Sequence, residues 1–223
     1  MRKRNQLIIY SVSLVILIIL FFTNQLLGTD TIIYNFIRKF ITPSKTKFFT
    51  IITDLGDYIG MILASVIILI YNHKHNVKRN ISLILLLVFC SLYVVVTKNI
   101  FQRPRPEILQ LITIDGFSFP SGHSTYSMAI YGYLIYLINS LSKTKYKNLF
   151  IFLLVLLIFC IGLSRIYLGV HYFSDVFAGF VSGLIILNVV LIIENKFIIK
   201  GDQKWYICYM GQKNCSLNKK LIK

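Results

Sequence analysis

An all-α membrane protein with six crossing helices and both termini in the cytoplasm is the fold that the sequence predicts. Three observations predict it. The 223-residue chain is 56% hydrophobic and only 14% charged, more apolar surface than a soluble domain of this length can hide. Apolar runs approaching the roughly 20 residues needed to cross hydrocarbon recur along it. Lys and Arg fall between those runs, and they fall unequally on alternate sides.

The first run, Leu7 to Leu27, is too long for a signal peptide, and "NQLLGTD" after it is a poor cleavage site. The second is Asp57 to Tyr71, whose start is the least sharply defined. Ile81 to Thr97, Ser124 to Leu141, Leu149 to Leu168 and Asp175 to Ile199 complete the set. With the N-terminus inside, the inner segments carry 16 of the 24 basic residues, so the positive-inside rule places both termini in the cytoplasm. Between the first two runs, "DTIIYNFIRKFI" has a helical apolar stripe; it reads equally as a helix lying on the membrane surface or as a plain connector. Residues 1–200 form one membrane domain. The tail 201–223 mixes "WYICYM" with Lys and either rests on the inner surface or is disordered.

The net charge of +16 does not indicate nucleic acid, because the basic residues are scattered among apolar runs; basic loops at a membrane surface account for it. Cys90 and Cys160 lie in apolar runs, and Cys208 and Cys215 have no metal-site spacing. No metal or cofactor is expected, and nothing fixes an oligomeric state. Lys outnumbers Arg by 17 to 7 and there are only three Ala, the mark of an AT-rich, low-GC bacterial coding sequence.

This topology brings three polar clusters to the outer side. "KNIFQRPRP" (Lys98 to Pro106) leaves the third run, and its two X-Pro steps push Arg103 and Arg105 out of helical geometry into a stiff loop. "FPSGHS" (Phe119 to Ser124) enters the fourth run, where Ser121 or Ser124 can cap the helix and its amides offer an anion site. Gly122 lets an anion approach closely. "SRIYLGVHYFSD" (Ser164 to Asp175) joins the fifth and sixth runs. His171 and Asp175, four apart, share one face if the segment is helical, about 5–6 Å between Cβ atoms. The carboxylate can then fix the imidazole tautomer and leave the other nitrogen as base or nucleophile. Arg165 needs the break that Gly169 allows in order to converge with them. An Arg at a membrane edge costs about 2.5–3.5 kcal/mol unless solvated or paired, so an anion is its natural partner. Taken singly, a His at a membrane edge is usually structural and an Arg-Pro is usually an anchor; all three clusters on one face are hard to reach by chance.

These motifs resemble those of the type 2 phosphatidic acid phosphatase superfamily: Lys-x6-Arg-Pro (Lys98 to Arg105-Pro106), Pro-Ser-Gly-His (Pro120 to His123) and Ser-Arg-x5-His-x3-Asp (Ser164-Arg165, His171, Asp175). No motif position is substituted, and the resemblance covers most of the chain. It implies His171 as the nucleophile on phosphorus, Asp175 as its orienting partner and His123 as the proton donor to the leaving group. It implies Lys98, Arg105, Ser121, Gly122 and Arg165 as holders of the phosphoryl oxygens, and no metal. Its register selects Arg105 over Arg103, which is left to touch substrate or headgroups. The expected activity is metal-independent hydrolysis of a membrane lipid phosphate at the extracytoplasmic face of a multi-pass cell-membrane protein. Undecaprenyl pyrophosphate is the first expectation for substrate, and phosphatidylglycerophosphate or phosphatidic acid the alternative. A lipid phosphotransferase and a non-catalytic lipid-phosphate binder are further readings; the latter would be expected to have lost a motif His or Asp. A soluble haloperoxidase with a similar anion site is argued against by six apolar spans.

Overall fold

A backbone in an apolar medium satisfies its own hydrogen bonds most simply as helix. In the computed structural model, which describes residues 8–16, 19, 26–107, 110–141 and 144–199, every regular element among the described residues is helical. Residues 8–16 are helical within the predicted first span; the rest of that span is largely outside the described residues, as are the tail 201–223, Cys208 and Cys215. Then come α1 (Leu26–Arg38), α2 (Pro43–Asp54), α3 (Tyr58–His75), α4 (Asn80–Phe101), α5 (Gly122–Leu141), α6 (Lys147–Tyr167) and α7 (Phe173–Ile193). A π turn, Glu194–Ile199, extends α7.

Local chemistry sets the ends of these helices. Pro43 opens α2 behind Thr42, whose hydroxyl accepts from Lys45 N at 3.4 Å. Asp57 caps α3 by accepting from Tyr58 N at 2.8 Å. The α4 helix stops at Gln102, which is left-handed with φ 43°, just before the two X-Pro steps. Gly169, with φ 72°, turns the chain after α6, a conformation that favours a residue without Cβ.

Three helices are long and apolar enough to cross a membrane among the described residues: Val77–Phe101, Lys147–Tyr167 and Phe173–Phe197. The pair α2 and α3, bent by 49°, adds a fourth if taken as one span. The predicted outer segment 29–49 is neither plain connector nor surface helix alone. It is α1, the following turn and the start of α2, with Asp30 and Tyr34 buried. The predicted span at Ser124–Leu141 is helical as α5, but it carries buried Ser124, Thr125 and Ser127. It packs against α3, α4, α6 and α7, so its neighbours shield those hydroxyls.

The core gathers Ile68, Leu86, Ile130, Leu137, Ile161 and Val190 around α5. Outward-facing Ile62, Leu63, Ile84, Leu92, Phe152 and Phe159 are exposed, a pattern suited to hydrocarbon rather than water. The α5–α7 contact depends on two glycines one turn apart. A Cβ at Gly179 would lie 2.7 Å from Ser121 O, and one at Gly183 would lie 2.6 Å from Thr125 O. Small residues at this spacing let membrane helices approach backbone to backbone.

Each end of the bundle holds buried charge. At the end where α4 begins and α7 finishes, Arg79 Nε lies 3.3 Å from Glu194 Oε1, and the Tyr133 hydroxyl donates to Glu194 Oε2 at 2.7 Å. The three sequence motifs meet at the other end.

Candidate active site

The connector from α4 to α5 and the turn from α6 to α7 are tied together by backbone. Leu111 N donates to Leu168 O at 3.0 Å, Ser118 N to Arg103 O at 2.8 Å and Ser121 N to Asp175 O at 3.1 Å. The turn itself folds back on α6, with Val170 N and His171 N both donating to Arg165 O at 3.2 Å. This places His171 beside the end of α6 rather than on α7. The same-face helical pairing of His171 and Asp175 is therefore corrected: His171 precedes the helix, and Asp175 sits in its first turn, accepting from Tyr172 N at 2.9 Å.

His171 and Asp175 still converge. Nδ1 of His171 lies 3.6 Å from Asp175 Oδ2, too long for a full hydrogen bond. Ser118 fills the gap: its hydroxyl donates to Asp175 Oδ2 at 2.5 Å and lies 3.4 Å from His171 Nδ1. On the other side of the ring, Arg105 Nη1 lies 3.2 Å from Nε2. Arg is a donor only, so Nε2 accepts and the ring proton sits on Nδ1. The lone pair of His171 thus faces the guanidinium. Burial, helped by Arg165 and Arg105, pulls the His171 pKa down to about 4 against the opposing pull of Asp175. At neutral pH the ring is uncharged.

The cations around it are unevenly matched. Arg105 donates Nε to Gly116 O at 2.9 Å, Nη1 to Val170 O at 2.9 Å and Nη2 to Asp115 O at 3.2 Å, carbonyls that solvate its charge without cancelling it. Arg165, 1% exposed, donates Nη1 to Thr53 Oγ1 at 2.6 Å, while its Nε has no partner. Lys98 ends α4 half-buried and within the electrostatic reach of Arg105, Arg165 and Asp175. Among the described residues none of these three cations forms an ion pair. The carboxylate here, Asp175, is already claimed by Arg103 at 2.5 Å. His123, half-buried in the first turn of α5, feels the charges of Arg165, His171, Lys98 and Arg105.

The α5 start forms the last wall. Ser121 Oγ accepts from Ser124 N at 3.4 Å, and Ser121 O accepts from Thr125 N at 3.0 Å. Those bonds use up all but the Gly122 and His123 amides at the positive end of the helix. A Cβ on Gly122 would meet only Val94, at an ordinary 3.5 Å. From His123 an apolar groove of about 610 Å³ runs along α3, past Met61, Ser65 and Leu69, to Leu87 and Tyr126.

All eight expected residues, Lys98, Arg105, Ser121, Gly122, His123, Arg165, His171 and Asp175, are thus brought to one end of the bundle. Arg103 is the correction. It is 6% exposed and points inward to Asp175, Asp30 and Ser174 rather than to headgroups. Sequence reasoning also missed Ser118, Asp30 and Thr53. An isolated polar residue outside a motif gives no signal, though an Asp inside the apolar stripe of "DTIIYNFIRKFI" was a hint.

Comparison with known proteins gives the family. The PAP2 superfamily model matches residues 79–199. The chain belongs to the PAP2 superfamily. Phosphatidylglycerophosphatase B of Bacillus subtilis is 31% identical over 187 residues, 82% of this chain and 87% of that protein. The crystal structure of a transmembrane PAP2 type phosphatidylglycerolphosphate phosphatase from Bacillus subtilis superposes with a TM-score of 0.75 at 26% identity. That match covers 85% of this chain and 96% of the other. Aquifex aeolicus LpxE superposes at 0.58 and 29% identity, over 71% of this chain and 92% of the other. This PAP2 chain is a membrane lipid phosphatase by these likenesses.

Proposed function

We propose that this PAP2 phosphatase hydrolyses phosphatidylglycerophosphate or phosphatidic acid through a phosphohistidine on His171, at the outer face of the cell membrane. One observation carries the reading: Lys98, Arg105 and Arg165 gather about His171 and His123, and among the described residues none of the three forms an ion pair, so the site wants a multiply charged anion. The 31% identical relative named as a phosphatidylglycerophosphatase supports the glycerolipid choice.

The phosphoryl group displaces the Arg105 contact at Nε2, and its oxygens rest on Lys98, Arg105, Arg165 and the α5 start at Ser121 and Gly122. Nε2 of His171 attacks phosphorus, and the bond from phosphorus to the lipid oxygen breaks. His123 gives its proton to that oxygen, and the lipid alcohol leaves. Water then gives a proton to His123 and attacks phosphorus. The P–N bond breaks, and His171 and inorganic phosphate are restored. Asp175, directly and through Ser118, steadies the positive charge that His171 gains. Charge spread over the phosphoryl oxygens in the transition state is met by cations already in place. The apolar groove below His123 suits a hydrocarbon tail that stays in the bilayer.

The same reading keeps six spans, both termini inside, a membrane domain over 1–200 and an inner tail over 201–223, on the positive-inside distribution. The test is phosphate release by purified protein in detergent with EDTA, from phosphatidylglycerophosphate, phosphatidic acid and undecaprenyl pyrophosphate in parallel. Release from the glycerolipids, lost in H171A, is expected. Release from the pyrophosphate alone would return the substrate to the isoprenoid class.

A further inference from the structure

Asp30 stands outside every motif, on α1, yet it is 1% exposed and fully engaged. Its Oδ1 accepts from Ser174 N at 2.9 Å, and its Oδ2 accepts from Ser174 Oγ at 2.6 Å and from Arg103 Nη2 at 2.8 Å. The other arm of the Arg103 guanidinium, Nη1, donates to Ser174 Oγ at 2.7 Å and to Asp175 Oδ1 at 2.5 Å. The guanidinium carbon lies 4.0 Å from the centre of the Tyr172 ring.

These contacts run in one line from α1 to the nucleophile. Asp30 fixes one edge of Arg103 and Arg103 fixes Oδ1 of Asp175, while Oδ2, which accepts from Tyr172 N and from Ser118, faces His171. A carboxylate free to rotate would offer His171 either oxygen at varying distance. Clamped at Oδ1, it offers one. A planar guanidinium with two separated edges is suited to this, whereas a Lys ammonium would be a point charge between the two acids. The trio also separates this cation from the others: Arg103 is spent on two carboxylates, while Lys98, Arg105 and Arg165 remain for phosphate.

We propose that Asp30 and Arg103 are positioning residues for the His171–Asp175 pair, so that docking of α1 aligns the nucleophile. This rests on the phosphatase reading of the same site. α1 is then part of the working site rather than a connector on its outside.

The test uses the full-length protein in detergent with dioctanoyl phosphatidic acid as probe. Asp30→Asn keeps the shape but puts an amide where Ser174 and Arg103 need acceptors. Its kcat should fall by about 100-fold, the scale expected from an ångström of misalignment. Its KM should stay within about twofold of wild type, because the cations that hold phosphate are untouched. Adding Asp30→Asn to Arg103→Gln should cost nothing beyond Arg103→Gln alone. An unchanged kcat in the folded fraction, a loss confined to KM, or full additivity would overturn the proposal. If Asp30→Asn does not purify folded, Ser174→Ala removes the hydroxyl that Asp30 and Arg103 share and is held to the same outcomes. Wild type and His171→Ala run alongside. A silent wild type overturns the phosphatase reading and this proposal with it; an active wild type with unaffected variants overturns the positioning role alone.

Discussion

The two ends of the bundle bury charge in opposite ways. At the end where α4 begins and α7 finishes, one cation meets one anion: Arg79 and Glu194, with the Tyr133 hydroxyl donating to Glu194. At the end where the motifs meet, Arg103 is matched by Asp30 and Asp175, but Lys98, Arg105 and Arg165 form no ion pair among the described residues. A buried pair that is balanced in charge calls for no further ion. A buried cluster that is unbalanced is costly until something anionic arrives, and that cost is the binding energy for phosphate. Charge balance, more than burial, separates the structural end from the chemical one.

The sharpest test of that contrast is removal of the nucleophile. His171→Ala should cut kcat by about 10⁴-fold or more while the melting temperature in detergent holds, since a neutral imidazole supports no ion pair of its own. Residual turnover within tenfold of wild type would sink the phosphohistidine route. Next, Glu194→Gln leaves Arg79 buried and alone, which should cost about 3–5 kcal/mol of stability and leave kcat of the folded protein unchanged. A kcat loss without a melting shift would show that this end takes part in chemistry. Arg105→Met should do the reverse, lowering kcat/KM by about 100-fold or more while stability holds or rises as repulsion with Arg165 is relieved.

The smallest effect concerns pH. Because the folded protein holds His171 near 4, below its ordinary range, the ring stays neutral and nucleophilic down through pH 5. The acid limb of kcat/KM should appear only as pH falls toward 4, about tenfold per unit below it. A limb near 6.5 would mean that the ring is solvated as in a free chain. On the alkaline side, burial and the surrounding cations pull His123 well below its ordinary range, so the alkaline limb of kcat/KM should begin before neutral pH as His123 loses the proton it must donate, with EDTA making no difference.

The sequence made the chemical residues legible because their spacing is set by local geometry: a helix end, a cap and a glycine turn each put a side chain in a fixed place. The apolar runs likewise showed where α4, α6 and α7 lie. The Asp30–Arg103 clamp was hidden because its partners are 73 residues apart and no periodicity links them. Arg103 and Arg105 share the same X-Pro context, so nothing local says that one faces inward to carboxylates and the other toward the nucleophile. The stretch 29–49 was ambiguous because a stripe of Ile and Phe fits a membrane surface as well as a protein one; buried Asp30 and Tyr34 decide it only in three dimensions. The four-residue spacing of His171 and Asp175 fits one face of a helix and a tight turn alike, so it could not say that His171 precedes the helix.

Gly179 lies one helical turn beyond Asp175, and Ser121 O sits where its side chain would be. The start of α7, which carries Asp175, and the start of α5 are therefore spaced by a missing methyl. This makes the width of the catalytic cleft a property of the membrane-embedded frame. A single carbon added at Gly179 would act as a wedge, prising the two walls apart while every reacting group kept its identity.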